Sequence, residues 1–216
     1  MNLCRSKKTL LSALGLILAM GATQAQAAGK RHIHFQLVPN PKFLKCLARF
    51  PDDPRRPPRA DVVVSRGKFN DTLILFLHDV KPNLGFDLFT VEKSTFLADG
   101  SPDPDAPNRG LAWYQSDIET NASGSAQVEI RTILFDQIFG FDPVVSLTPT
   151  NTFHVGFWFD SVDEVADCPP APAETPFNGD HHAGPLAMIS LPDAASGLGP
   201  LCTDPDFSTN PPTCNP

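Results

Sequence analysis

Hydrophobic and polar positions in this chain alternate with a period of two over several short stretches, and almost nowhere with a helical period. In residues 71–78, Leu73, Leu75 and Leu77 point to one face and Ile74 and Phe76 to the other. Both faces are apolar, which predicts a central strand covered on both sides. In the run that follows, Phe86, Leu88 and Thr90 alternate with Asp87, Phe89 and Val91. Pro82, Asn83 and Gly85 lie between the two runs and favour a turn. The spacing therefore predicts a β-hairpin over residues 71–92.

The same pattern recurs on either side. Strands are predicted near residues 30–37, 61–66, 111–120, 125–133, 152–160 and 183–191. In 111–120, Ala112, Tyr114, Ser116 and Ile118 alternate with Trp113, Gln115 and Asp117. In 125–133 the alternation is cleanest: Ala126, Val128 and Ile130 against Gln127, Glu129 and Arg131, one face in water. Phe153, Val155, Phe157 and Phe159 form a large aromatic row typical of a core strand. Ser161-Val-Asp-Glu164 has capping-box spacing and predicts a short helix over 161–167. Residues 134–141 are apolar without a period and leave strand or helix open. Proline-rich stretches at 40–59, 94–109 and 169–176 read as loops. Together these elements predict an all-β fold, an antiparallel immunoglobulin-like β-sandwich with Pro-rich loops and one short helix; a β-barrel is the alternative.

The first 27 residues alter the picture of where the fold operates. Arg5, Lys7 and Lys8 precede an apolar run, and Ala25-Gln26-Ala27 forms a small-residue cleavage site. This is the pattern of a secretory signal peptide, and the run is shorter than a spanning helix needs. The predicted organisation is a leader at 1–27, a first strand with a Pro/Arg-rich loop at 28–59, a β-domain at 60–191 and a Cys-containing tail at 192–216. The whole chain of 216 residues carries a formal charge of −7. Without the leader, 14 Lys and Arg face 24 Asp and Glu, a formal charge of −10. That balance argues against nucleic acid as a partner, and the cluster Arg55, Arg56 and Arg59, broken by prolines, reads as a solvated loop. No segment after the leader is long and apolar enough to span a membrane. Cys46, Cys168, Cys202 and Cys214 remain, an even number expected to form two disulfides in an exported chain. Three connectivities are possible. Cys202–Cys214 closes a short Pro-rich loop and is preferred, which leaves Cys46–Cys168.

Candidate chemistry is sparse. Nucleophile-elbow, zincin-helix, phosphate-loop and dinucleotide signatures are all absent, so no catalytic residue is assigned. Ligand contacts are expected from loops at one end of the fold, residues 94–109 and 169–184. Trp113, Tyr114, Asp105, Arg109 and Asn178 are the candidate binding residues. No cofactor is required; a divalent metal is the competing possibility, with Asp180, His181, His182 and His154 as ligands of suitable type. His32 and His34 share one strand face, and His78 ends the central strand.

A resemblance rests on motif order. It comprises Asp71-Thr-Leu-x-Leu, Pro82-Asn-x-x-Phe86-x-Leu-Phe89, Trp113-Tyr-Gln-x-Asp117, Phe157-Trp-Phe-Asp160 and Thr175-Pro-Phe-Asn-Gly179. It is similar to a group of small exported bacterial β-proteins with no characterised family among them, and broadly to immunoglobulin-like sandwiches of the envelope. That likeness implies no catalytic residues. The expected function is non-catalytic: a secreted or periplasmic binding or structural protein whose partner is an envelope or extracellular protein or a glycan. The alternative is a metal-binding protein or metal-dependent enzyme built on Asp180-His181-His182.

Overall fold

The computed structural model describes residues 32–105, 109–132, 134, 151–170 and 183–215. Its strands are β1 (His32–Pro39), β2 (Arg59–Ser65), β3 (Asp71–His78), β4 (Gly85–Val91), β5 (Ala112–Glu119), β6 (Ala126–Thr132), β7 (His154–Phe159) and β8 (Leu186–Ser190). A two-stranded ribbon, β9 (Pro205–Asp206) and β10 (Thr213–Cys214), lies in the tail. One short helix, α1 (Leu44–Leu47), follows β1.

The all-β, antiparallel expectation holds. The eight main strands form one sheet in the order β5-β4-β7-β8-β1-β2-β3-β6, and the pairs within it are antiparallel. The sheet is rolled nearly closed, so its two ends, β5 and β6, are also consecutive in the chain. Two layers thus face each other across one core, with barrel-like closure rather than two separate sheets.

The predicted hairpin over 71–92 does not form. β3 pairs with β2 and β6, whereas β4 pairs with β5 and β7. The intervening residues carry the chain from one half of the sheet to the other. Asp79 and Asn83 adopt left-handed backbone there, both with φ 57°. The Val80 N–H donates to Gly124 O at 3.2 Å, and the Asn83 N–H to Thr120 O at 3.1 Å. The turn residues were legible; their use as an arch rather than a hairpin depends on these distant acceptors.

The core follows from alternation. Leu73, Leu75 and Leu77 of β3, Val62 and Val64 of β2, Phe86 and Leu88 of β4, and Val155, Phe157 and Phe159 of β7 are all buried in one cluster. Phe86 meets Phe157 edge-on at 4.9 Å. Each such side chain contributes about 1.5–3 kcal/mol by leaving water. A second, smaller cluster lies on the opposite face of β4, β7 and β8: Phe89, Val91, Trp158, Leu186 and Ile189. It is covered by Phe96 from the proline-rich segment after β4, which is folded back on itself by the Leu97 N–H to Ser101 O bond of 2.8 Å. That segment is therefore not wholly an exposed loop, since Ser94 and Phe96 are buried.

Cys46 pairs with Cys168 and Cys202 with Cys214. The first bond ties α1 to the segment after β7; the second closes the tail over β9 and β10. The expected helix after β7 is a 3-10 turn, Val162–Val165. Its Ser161 makes no side-chain capping bond. Glu164 does not reach back to Ser161 as a capping box requires; its carboxylate instead accepts the Gly85 N–H at 2.7 Å. The start of β4 is a stronger claimant, because Gly85 also accepts the Asp160 N–H, at 3.0 Å, and so brings the two segments together.

Candidate functional site

The site begins with an irregularity in β5. Its pairing with β4 slips between Leu88 and Phe89: Leu88 faces Ser116, but Phe89 faces Tyr114. Gln115 is the extra residue of a β-bulge. The alternation predicted for this strand breaks there. Tyr114 and Asp117, three residues apart, share the outer face, and the Tyr114 hydroxyl donates to Asp117 Oδ1 at 2.6 Å. The Gln115 amide turns to the other side and donates to Thr90 Oγ1 at 3.1 Å.

An aromatic row continues from Tyr114 across the sheet. Tyr114 meets Phe89 edge-on at 5.5 Å, and Phe89 meets Trp158 edge-on at 5.3 Å. The Arg109 guanidinium lies over the Trp158 ring at 4.8 Å from its centroid. Arg109 is placed by the backbone before β5: its carbonyl accepts the Lys93 N–H at 3.0 Å, and the Leu111 N–H donates to Glu92 Oε2 at 3.1 Å. Between them Gly110 has φ 67°, and a Cβ there would overlap the Glu92 carboxylate. Only glycine serves at this corner.

Charge is concentrated around the row. Asp117 stands directly opposite Asp87, which is buried, and Asp160 follows β7. Partial burial first, then the Asp117 hydrogen bond and the charges of Asp117, Asp87 and Asp160, push the Tyr114 phenol above its ordinary range. It stays protonated and remains a donor. Burial lowers Arg109 to about 10, which leaves it cationic at neutral pH. Burial first, and the charges of Asp160 and Asp87 after it, also raise the Glu164 carboxyl above its usual value.

The surface offers apolar area as well. Leu111, just before β5, and Trp113 and Tyr114, near its start, are 42%, 37% and 44% exposed. Flat rings beside a carboxylate and a guanidinium suit a ligand that has both apolar faces and hydroxyl or amide groups.

Of the binding residues expected from sequence, Tyr114 and Arg109 are joined through Phe89 and Trp158. Trp113 pairs with Thr90 and so points to the other face of the same strand. Asp105 is exposed, and its N–H donates within its own loop to Asp103 Oδ1 at 2.9 Å. Asn178, Asp180, His181 and His182 lie outside the described residues. His154 is buried, with Nδ1 at 3.1 Å from Ser190 Oγ and 3.2 Å from Ser190 O. Burial lowers it to about 4, so it is neutral and suited to a structural hydrogen bond. His32 and His34 are exposed on one face, beside Ser65 and Asp61. Among the described residues no group of three or more His, Cys, Asp or Glu side chains could hold a metal ion. Phe89, Trp158, Asp87 and Asp117 were not assigned as binding residues from sequence. Asp87 gave the one available signal, an acid inside an otherwise apolar strand.

No protein-family model, curated protein or solved structure matches this chain.

Proposed function

We propose that the chain is an exported, non-catalytic binding protein, secreted or periplasmic, that holds a glycan on the outer face of β5. The leader pattern at 1–27 and two disulfide pairs support export. Among the described residues no helix is long and apolar enough to cross a membrane. The observation that carries the binding reading is the row Tyr114–Phe89–Trp158–Arg109, in which Tyr114 is exposed and hydrogen-bonded to Asp117. Phe89 and Trp158 are buried and the Tyr114 hydroxyl is held by Asp117, so the ring has less freedom to lose on binding. A pyranose face stacks on such a ring, and its hydroxyls pair with the Asp117 carboxylate beside it.

The test is an array of soluble and envelope glycans probed with purified mature protein, followed by titration of the best ligand. Tyr114→Ala is expected to weaken that ligand about tenfold or more, as loss of a central aromatic anchor does. Capture of no glycan, or equal binding by Tyr114→Ala, overturns the reading. A protein ligand bound through the same residues replaces glycan with a protein partner.

A further inference from the structure

A second concavity lies at the far end of β5, where the turn into β6 meets α1 and the arch between β3 and β4. We infer that it is a binding site for a small oxyanion, a carboxylate, sulfate or phosphate group. It is lined by Arg49, Arg56, Arg59, His78, Ser123 and Ser125. Three guanidiniums and an imidazole in one hollow are unexpected on a chain whose acids outnumber its bases.

The carboxylates that share the hollow are already engaged. Asp79 takes a 2.6 Å bond from Arg56 Nη2. Asp61 accepts from Gln36 Nε2 at 2.8 Å and lies 3.5 Å from His34 Nε2. Arg59 and His78 differ. They are exposed and stand directly opposite each other across β2 and β3. Among the described residues neither side chain makes a hydrogen bond or ion pair. Their Cβ atoms are therefore about 5 Å apart, the spacing at which two donors converge on one acceptor group.

The frame around this pair is fixed. The Arg49 guanidinium donates to Ser123 O. The Arg49 N–H donates to Asp79 O at 3.0 Å, and Val80 donates to Gly124 O at 3.2 Å. Gly124 has φ 71°, and a Cβ there would overlap Val80 O. Arg56 is flattened against Phe50, its guanidinium 3.7 Å from the ring centroid. Arg49 thus supplies fixed positive charge, Arg56 is held in its ion pair with Asp79, Arg59 supplies a fork of free donors, and the Ser125 hydroxyl supplies a neutral one, while the Ser123 hydroxyl is already given to Asn121 Oδ1 at 2.6 Å. A rigid ring of donors around one fork is the arrangement that recognises an oxyanion. The site is independent of the Tyr114 row, which lies at the other end of the same strand.

The experiment is calorimetric titration of the full mature protein at low ionic strength with sodium sulfate, sodium phosphate and sodium glucuronate, each matched against sodium chloride, with glucose as the neutral control. One equivalent of at least one oxyanion is expected to bind, and chloride and glucose are not. Preference for glucuronate assigns an acidic sugar; preference for sulfate or phosphate assigns a free inorganic ion. Arg59→Ala is expected to weaken binding about tenfold, Arg59→Lys several-fold, and His78→Ala several-fold, while Tyr114→Ala leaves it unchanged. Near-ultraviolet circular dichroism identical to wild type shows that the variants are folded. Absence of binding by any oxyanion, equal heats from chloride, or undiminished binding by folded Arg59→Ala overturns the inference.

Discussion

The two halves of the sheet are built on different rules. In β1-β2-β3-β6, burial alternates along each strand: β3 reads buried at Leu73, Leu75 and Leu77 and half-buried at Ile74 and Phe76. In β4-β7-β8 it does not: all six residues of β7 and all five of β8 are buried. One half has a core face and a wet face. The other has a second apolar layer, Phe89, Val91, Trp158, Leu186 and Ile189, under a folded-back proline-rich segment. The lesson is that the wet half is specified by period and the dry half by volume. Period-two alternation sets the register of the first, because a one-residue slip would expose its whole core row. In the second both faces are apolar, so register rests on bulges, one at Leu88/Phe89 and one at Phe157/Trp158. The candidate binding row sits on the dry half, whose strands are buried on both faces; the basic hollow sits where the wet half meets the arch.

The sharpest way to break this comparison is the staple behind it. Cys46–Cys168 closes 122 residues and Cys202–Cys214 only 12. Chain-entropy estimates give about 5 kcal/mol for the first and about 3 for the second. Replacing Cys46 and Cys168 together with Ala should lower the denaturation midpoint far more than replacing Cys202 and Cys214, as urea titration would show. Equal losses would mean that the long closure is not holding the halves. Next in size are core truncations. Trp158→Ala in the dry half should cost about 3–5 kcal/mol. Phe76→Ala, half-buried on the wet face, should cost less than half as much. Similar values for the two would show that the outer layer over β7 adds nothing.

A pH measurement separates the halves by polarity. Burial in the dry half lowers His154 from its ordinary value of 6.5 to about 4. The unfolded chain therefore binds its proton first as pH falls. The contribution is fully present above about 6.5 and is lost as pH falls toward about 4, by about 3 kcal/mol at most. His154→Gln should remove that part of the acid slope in chemical denaturation between those limits. An unchanged slope would place the loss on carboxylates instead. The smallest effect is at the surface: Tyr114→Phe deletes one exposed hydrogen bond to Asp117 and should change stability by under about 1.5 kcal/mol.

Much of the fold was legible because alternation is a local signal. The Leu73/Leu75/Leu77 row and the Phe153-to-Phe159 row are buried as their spacing requires. The disulfide pairing also followed from loop length. What could not be read were choices made by distant partners. Pro82, Asn83 and Gly85 describe a turn but not whether the strands on either side pair, and the acceptors at Thr120 and Gly124 decide that. Ser161 and Glu164 have capping-box spacing, but the Gly85 amide takes the carboxylate. In the site, Tyr-Gln-Ser reads as plain alternation, and the bulge at Gln115 is set by β4. Hence Tyr114 and Arg109 were visible as exposed chemistry, whereas Phe89, Trp158 and Asp117, which join them, were not.

The position of β8 has a consequence for how the molecule comes into being. It is the single strand that bonds to both halves, to β7 on one side and β1 on the other. Yet it is the last of the eight to be synthesised. Until residue 190 has emerged, a three-stranded leaf and a four-stranded leaf have no shared ladder, and β1, paired with β2 on one side, lacks its second neighbour, with Leu37 still to meet Ser190. Closure of the sheet is thereby postponed until all seven other strands are already made.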